Sequence, residues 1–140
     1  FLFVRQFRPS VWYYQDKNQI QHKNGLTYEL CAGIMDKGLD AKATIIEEIM
    51  EETGYSLNDV ERVTSSFTAL GFGANCQVLF YAQIDESMKT GLGGGIDDEK
   101  IELVFIKRSE ILDFIYDESK IKAPNLQFSI LWWMITKNPK

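Results

Sequence analysis

Four glutamates crowd one short segment of the chain, and their spacing suits the binding of a cation. Glu47, Glu48, Glu51 and Glu52 lie within a helical pattern that runs from Ala41 to Thr53. At about 100° per residue, the acids fall on one side of this helix and its isoleucines on the other. Because Glu48 precedes Glu51 and Glu52 by three and four residues, these three carboxylates are expected to converge beside the helix. Such hard oxygen ligands favour Mg²⁺, Mn²⁺ or Ca²⁺.

The stretch from Glu47 to Glu52 contains no positive charge that would balance its acids. No Lys or Arg lies among the four glutamates, and each like-charge pair at this spacing costs an isolated helix about 0.2–0.5 kcal/mol. We therefore expect a cation beside the helix. The alternative interpretation is an acidic, solvent-exposed face without a ligand, which is the more common role of a bare Glu-rich helix.

The elements that must position these residues alternate between strand and helix patterns. The strand patterns run from Leu2 to Phe7, Leu26 to Cys31, Arg62 to Thr68, Gln77 to Ile84 and Ile101 to Ile106. Helices are predicted from Ala41 to Thr53, from Ser109 to Phe114, and from Pro124 onward. Polar, glycine-bearing connections from Asp16 to Gly25 and from Asp85 to Lys100 predict surface loops. This order predicts an α/β or α+β sandwich and leaves the topology open.

Size and composition narrow the classes of protein to which the chain can belong. Its 140 residues suit a single domain over 1–140. A formal net charge of -5 disfavours nucleic acid as a partner, and no apolar run is long enough to span a membrane. Two cysteines are more typical of reduced thiols in a cytoplasmic protein than of a disulfide-stabilised one. Because the chain starts at Phe1, inside a strand pattern, we expect that an N-terminal portion of the natural chain is missing.

The segment from Gly33 to Tyr55 resembles the signature of the Nudix hydrolases. That signature is a Gly, five residues, a Glu, seven residues, and then Arg-Glu-apolar-any-Glu-Glu-any-Gly-apolar. The matching residues in this chain are Gly33, Glu48, Ile49, Glu51, Glu52, Gly54 and Tyr55. The resemblance implies an α+β Nudix fold, an α/β/α sandwich with a mixed central sheet, in which Glu48, Glu51 and Glu52 bind metal and serve catalysis.

Two positions depart from the signature. Leu39 replaces its first Glu, with Asp40 next to it, and Glu47 replaces its Arg. In the family that Arg helps to hold the metal-binding carboxylates by charge pairing, so an acid at this position adds repulsion. The departures raise the alternative that the chain is an inactive Nudix-like module that binds nucleotide sugars.

The flanking segments extend the resemblance to the nucleoside-diphosphate-sugar branch of the family. The segment ELCAG, from Glu29 to Gly33, implies that the backbone carbonyl of Ala32 is a further metal ligand and that Glu29 contacts substrate. The segment VRQFRP implies that Arg5 and Arg8 contact phosphate or sugar. Phe72 is a candidate for stacking on the base, as are Trp12 and Tyr13, although a core or interface role is the alternative for these aromatics.

The segment GLGGGIDDEKIELV, which begins at Gly91, resembles the branch's glycine-bearing loop and following strand. There an acidic residue acts as general base or positions the attacking water. The register implies Glu99 for this role. Asp97, Asp98 and Glu102 are the rival candidates.

The resemblance implies hydrolysis of the pyrophosphate bond of a nucleoside diphosphate sugar, with Mg²⁺, or alternatively Mn²⁺, as cofactor. UDP-glucose, cleaved to UMP and glucose 1-phosphate, is the favoured substrate. ADP-ribose or another ADP-sugar is the alternative, although the Pro that is typical of ADP-ribose hydrolases is absent near Gly71. Relatives in this branch form homodimers, so a homodimer is expected here.

Overall fold

The computed structural model of the protein describes residues 1–21, 23–96 and 99–137. Its strands are β1 (Leu2–Phe7), β2 (Leu26–Glu29), β3 (Glu61–Thr68), β4 (Asn75–Tyr81) and β5 (Glu102–Phe105). Its helices are α1 (Pro9–Lys17), α2 (Ala41–Glu48), α3 (Ile111–Tyr116) and α4 (Pro124–Thr136). A π-helical turn (Ile49–Thr53) continues α2, and two short 3₁₀ turns cover Glu86–Met88 and Arg108–Glu110. The chain divides into two compact units, Phe1–Leu30 with Gly94–Lys140, and Cys31–Gly93.

The first unit contains a three-stranded sheet in the order β2-β1-β5. Both pairings are antiparallel, with Val4 opposite Glu29 on one side and opposite Leu103 on the other. A single parallel bridge joins Tyr28 to Lys122. Because β1 is the central strand, its side chains alternate between the two faces of the sheet.

The core of this unit lies where α3 and α4 pack on the sheet. It consists of Phe3, Ile111, Phe114, Ile115, Leu126 and Ile130. The rings of Phe3 and Phe114 stack with centroids 5.5 Å apart. Pro124 occupies the first turn of α4, where its fixed φ suits a helix and its missing N–H leaves no hydrogen bond unmade.

The second unit consists of α2 with its π turn and the antiparallel β3–β4 hairpin. Gly54 ends the π turn with φ +73°, a left-handed conformation that a side chain would disfavour. The next residue, Tyr55, is 3% exposed and forms an antiparallel bridge with Lys89. The helix that carries the four glutamates is therefore fixed at its C-terminal end by later parts of the same unit.

The mixed helix and strand content agrees with the sequence prediction, and most elements have their predicted places. All five strand patterns correspond to strands, with ends that differ from those predicted by three residues at most; β1 has the predicted ends. Helix α1 was not predicted, although Pro9 at its first turn is a start signal. The α/β/α sandwich and the single domain over 1–140 stay predictions. None of the helices in the described residues is long and apolar enough to cross a membrane.

Candidate active site

Helix α2 begins at a side-chain cap. The Asp40 carboxylate accepts a hydrogen bond of 2.8 Å from the backbone N–H of Ala43, which satisfies one of the unpaired N–H groups of the first turn. Asp40 is therefore a helix cap. It does not take the place of the Glu that Leu39 replaces in the signature.

The predicted α-helix does not continue to Thr53 as a regular α-helix. Its last turn, Ile49–Thr53, is a π-helix, which has more residues per turn than an α-helix. Side chains in this turn therefore depart from the angular positions that a projection at 100° per residue gives them. Glu52 lies beside the backbone N–H of Ala32, whereas Glu51 lies beside Lys37.

Glu48 and Glu52 both approach the turn formed by Ala32 and Gly33. The backbone N–H of Ala32 donates to Glu52 Oε2 over 3.3 Å, and Glu52 is 5% exposed. A Cβ atom added to Gly33 would lie 2.1 Å from Glu48 Oε1, so Glu48 packs directly on the glycine. The fold thus brings Glu48 and Glu52, two of the three predicted glutamate ligands, next to Ala32, whose backbone carbonyl is the fourth predicted ligand.

Glu51 and Glu47 instead contact a lysine. The Lys37 Nζ atom lies 3.0 Å from Glu47 Oε2 and 3.5 Å from Glu51 Oε1. Convergence of all three carboxylates is thus not seen: among the described residues, no three His, Cys, Asp or Glu side chains surround one point in the manner of a metal site. Part of the positive charge that was expected beside the helix thus comes from Lys37, a residue that precedes the helix in the sequence.

The donor atoms of this turn nevertheless suit a hard divalent cation. Glu48 and Glu52 supply carboxylate oxygens beside Gly33 and Ala32, and carboxylates are ligands that such a cation prefers. Glu51 would complete the set if its carboxylate turned away from Lys37.

Cys31 lies in the same acidic environment. Burial raises the pKa of the Cys31 thiol, and the negative charges of Glu52 and Glu48 raise it further. Cys31 and Cys76 are both free thiols, and Cys76 is exposed. The Cys31 thiol is accordingly protonated at neutral pH and is a neutral neighbour of the carboxylates.

Lys89 anchors the C-terminal end of the glutamate helix and was not identified from the sequence. Its ammonium donates hydrogen bonds to the carbonyls of Thr53 and Leu92 and lies 4.9 Å from the centroid of the Tyr55 ring. A cation suits a helix C-terminus, where the carbonyls are unpaired. Neither Lys37 nor Lys89 lies at a signature position. For Lys37, a positive charge ten residues before Glu47 was the available signal, whereas Lys89 lies thirty-six residues after Thr53 and had none.

In the other unit, Arg8 and Glu29 form a bidentate ion pair. Arg8 Nε lies 2.7 Å from Glu29 Oε1 and the Arg8 Nη2 atom 2.5 Å from Oε2. Thr27 and Gln6 also donate to this carboxylate. Burial favours a higher pKa for Glu29, but the hydrogen bonds from Arg8, Thr27 and Gln6 outweigh it and hold the pKa below its ordinary value. These two predicted substrate-contacting residues are thus partners of one another.

Arg5 is likewise paired with an acid. It forms an ion pair with Glu102, with Nε 2.8 Å from Oε2, across the β1–β5 pairing. Glu102, one of the rival candidates for the general base, is therefore neutralised by a guanidinium.

Glu99, the favoured candidate, is exposed and accepts a 3.4 Å hydrogen bond from the Ile96 N–H. Asp97 and Asp98 lie outside the described residues.

The three candidate stacking aromatics are all on the surface. Phe72, in the loop between β3 and β4, is 94% exposed, which rules out a core role within its unit. Tyr13 is 62% exposed on α1, and Trp12 lies on the same helix with Lys23 Nζ 5.7 Å from its ring centroid. Any of the three rings offers a face for a base, and the structure does not favour one among them.

Comparison with known proteins identifies the family. The uridine diphosphate glucose pyrophosphatase NUDT14 of Bos taurus is 31% identical over 156 residues, covering 94% of this chain and 70% of that protein. GDP-mannose pyrophosphatases of Cronobacter sakazakii and Klebsiella pneumoniae are 33% and 32% identical over 80% and 83% of this chain. The chain covers 55% of each of these two bacterial relatives. No family model matches it.

These relatives confirm the prediction of a hydrolase. Together with the pattern from Gly33 to Tyr55, they show that the chain belongs to the Nudix hydrolase family, in its nucleoside-diphosphate-sugar branch.

Proposed function

We propose that the protein hydrolyses the pyrophosphate bond of a nucleoside diphosphate sugar with the help of Mg²⁺ or Mn²⁺. The observation that carries the proposal is the convergence of Glu48 and Glu52 on the Ala32–Gly33 turn. Glu52 is buried and Glu48 is partly buried. Carboxylate oxygens are the ligands that hard divalent cations prefer, and the family context makes such a cation the natural ligand of this site. Water attacks one of the two phosphorus atoms and forms a new P–O bond, while the bond from that phosphorus to the bridging oxygen breaks. The bridging oxygen leaves with the other phosphate, so the products are a nucleoside monophosphate and a sugar 1-phosphate.

In this proposal Glu48, Glu51, Glu52 and the Ala32 carbonyl hold the cations. When bound, such ions neutralise the diphosphate and lower the pKa of the attacking water. Gly33 leaves the space in which Glu48 lies, and the Ala32 N–H fixes Glu52. Glu99 accepts the proton that the water loses, as its exposed carboxylate permits.

Arg5, Arg8 and Glu29 are proposed to contact the substrate. The bidentate Arg8–Glu29 pair holds the guanidinium in one orientation before substrate arrives. Glu29 has only 21% of its side chain exposed, whereas Arg8 has 46%. The Arg8 guanidinium is therefore the more accessible partner for a phosphate or sugar hydroxyl.

UDP-glucose is the first candidate substrate, because the bovine relative is a UDP-glucose pyrophosphatase. GDP-mannose is the second, because it is named for the bacterial relatives. ADP-ribose is the third and rests on the sequence alone. A homodimer in the cytoplasm stays a prediction, which sedimentation and cell fractionation would test.

The decisive experiment measures nucleoside monophosphate release from UDP-glucose, GDP-mannose and ADP-ribose, with Mg²⁺ or Mn²⁺ and again with EDTA. We expect metal-dependent cleavage of a sugar nucleotide, at least about 100-fold slower in Glu52→Gln because a buried ligand is lost. Glu118→Gln, on an exposed residue after α3, is the matched control and should retain full activity.

Absence of cleavage would contradict the proposal if each nucleotide sugar still raised the melting temperature. That result would favour the binding-module alternative, which rests on Leu39 and Glu47. Cleavage that Glu52→Gln retains would instead remove Glu52 from the site.

A further inference from the structure

Lys37 lies between two acids that differ in their expected roles. Its Nζ atom is 3.0 Å from Glu47, which occupies the position of the signature Arg, and 3.5 Å from Glu51, a proposed metal ligand. The side chain comes from the turn before α2 and has 43% of its surface exposed. It brings a positive charge next to Glu47 and Glu51, and no Lys or Arg lies among the four glutamates in the sequence.

We propose that Lys37 is a positioning residue that replaces the missing signature Arg and holds Glu51 until a divalent cation takes that carboxylate. The inference rests on the proposed function, because it needs Glu51 to be a ligand. It makes the Lys37–Glu51 contact an internal competitor of metal binding.

The geometry supports an exchange of partners. The contact with Glu47 is the shorter, so Lys37 keeps a partner when Glu51 leaves it. The lysine ammonium sits on a flexible four-carbon chain and, unlike a guanidinium, does not form a bidentate pair with a carboxylate. It can therefore stay with one carboxylate and release the other. Glu47 thus keeps Lys37 paired when Glu51 leaves it, which gives the departure at position 47 a function.

Removal of Lys37 and removal of the Glu47 charge should change the metal affinity in opposite directions. Without Lys37, Glu51 loses its competitor and the local charge becomes more negative, so a cation binds more tightly. Without the Glu47 charge, Lys37 has only Glu51 as a partner, so a cation binds more weakly. If Lys37 merely stabilised the helix, its removal would loosen the site, and a cation would bind more weakly.

The test measures Mn²⁺ binding by electron paramagnetic resonance, from the signal of the free ion, with no substrate present. We expect Lys37→Met to bind Mn²⁺ about two- to fivefold more tightly than the wild type and Glu47→Gln to bind it about two- to fivefold more weakly, in keeping with partly exposed ion pairs. Lys37→Arg should restore an affinity near that of the wild type.

The matched control is Lys42→Met. Lys42 pairs with Asp59, away from the Glu47 and Glu51 carboxylates, and is 51% exposed. It should leave Mn²⁺ affinity unchanged. In EDTA, Lys37→Met should melt about 1–3 °C lower than the wild type, because Glu47 and Glu51 then repel one another unopposed.

Suppose that the wild type binds Mn²⁺ and that Lys37→Met binds it equally tightly or more weakly. This result overturns the role of Lys37 and leaves the proposed function in place. A wild type that binds no Mn²⁺ overturns the metal site of the proposed function and the Lys37 inference together.

Discussion

The Glu48 carboxylate occupies the space that a side chain on Gly33 would need. A Cβ atom at position 33 would lie 2.1 Å from Glu48 Oε1 and 2.3 Å from its Cγ. Real atoms do not approach so closely, so any other residue at position 33 must displace Glu48 or the turn. This contact explains why the signature pattern begins with a glycine fifteen residues before its first retained glutamate.

Gly33→Ala should therefore lower the rate of metal-dependent hydrolysis by about 100-fold or more, because it displaces Glu48, a proposed metal ligand. The measurement is the rate of monophosphate release together with Mn²⁺ affinity. Gly71→Ala is the control, since a Cβ atom there has no neighbour within 4 Å. Equal activities of the two variants would show that Glu48 is not held by Gly33.

Lys89→Met should destabilise the Cys31–Gly93 unit. The substitution leaves the Thr53 carbonyl without its lysine donor and removes the cation from the Tyr55 ring. The expected loss is about 1–3 kcal/mol, or several degrees in melting temperature. Thermal unfolding followed by circular dichroism measures it.

Lys107→Met is the corresponding control, because Lys107 is 79% exposed and pairs with nearby Glu110. An identical melting temperature for both variants would contradict an anchoring role for Lys89.

The Arg8–Glu29 pair should make stability depend on pH in the acid range. The pKa of Glu29 is lowered in the folded state from its ordinary 4.5, so the folded state binds fewer protons there than the unfolded state does. This contribution is complete above pH 4.5 and is lost as the pH falls through the folded pKa. Urea unfolding at neutral and at acid pH measures it.

Glu29→Gln should lower the free energy of unfolding by about 1–3 kcal/mol at pH 7, and the difference from the wild type should shrink below pH 4.5. Glu118→Gln, an exposed acid, is the control with little effect at either pH. A difference for Glu29→Gln that does not change with pH would contradict the lowered pKa.

The two thiols should differ in reactivity. In metal-free protein at pH 8, a disulfide reagent should modify exposed Cys76 at least about tenfold faster than Cys31, because the thiolate is the reactive form and burial disfavours it. Cys76→Ser should remove the fast phase. A fast phase that persists in this variant would place Cys31 at the surface.

The sequence alone determined the chemistry of the site and most of its framework. Apolar alternation indicated the five strands, and Pro124 marked the start of α4. The spacing of Gly33, Glu48, Glu51 and Glu52 carried the family resemblance that the relatives confirm. These features are local, so they can be read from neighbouring positions along the chain.

Tertiary structure decided which charges meet. The π turn at Ile49–Thr53 changes the angular positions of Glu51 and Glu52, and no local pattern distinguishes it from an α-helical turn. Lys37 reaches Glu47 across ten residues, and Lys89 reaches Thr53 across thirty-six. Arg8 and Glu29 meet through neighbouring strands. Such pairings depend on how distant segments pack, which periodicity along one segment cannot specify.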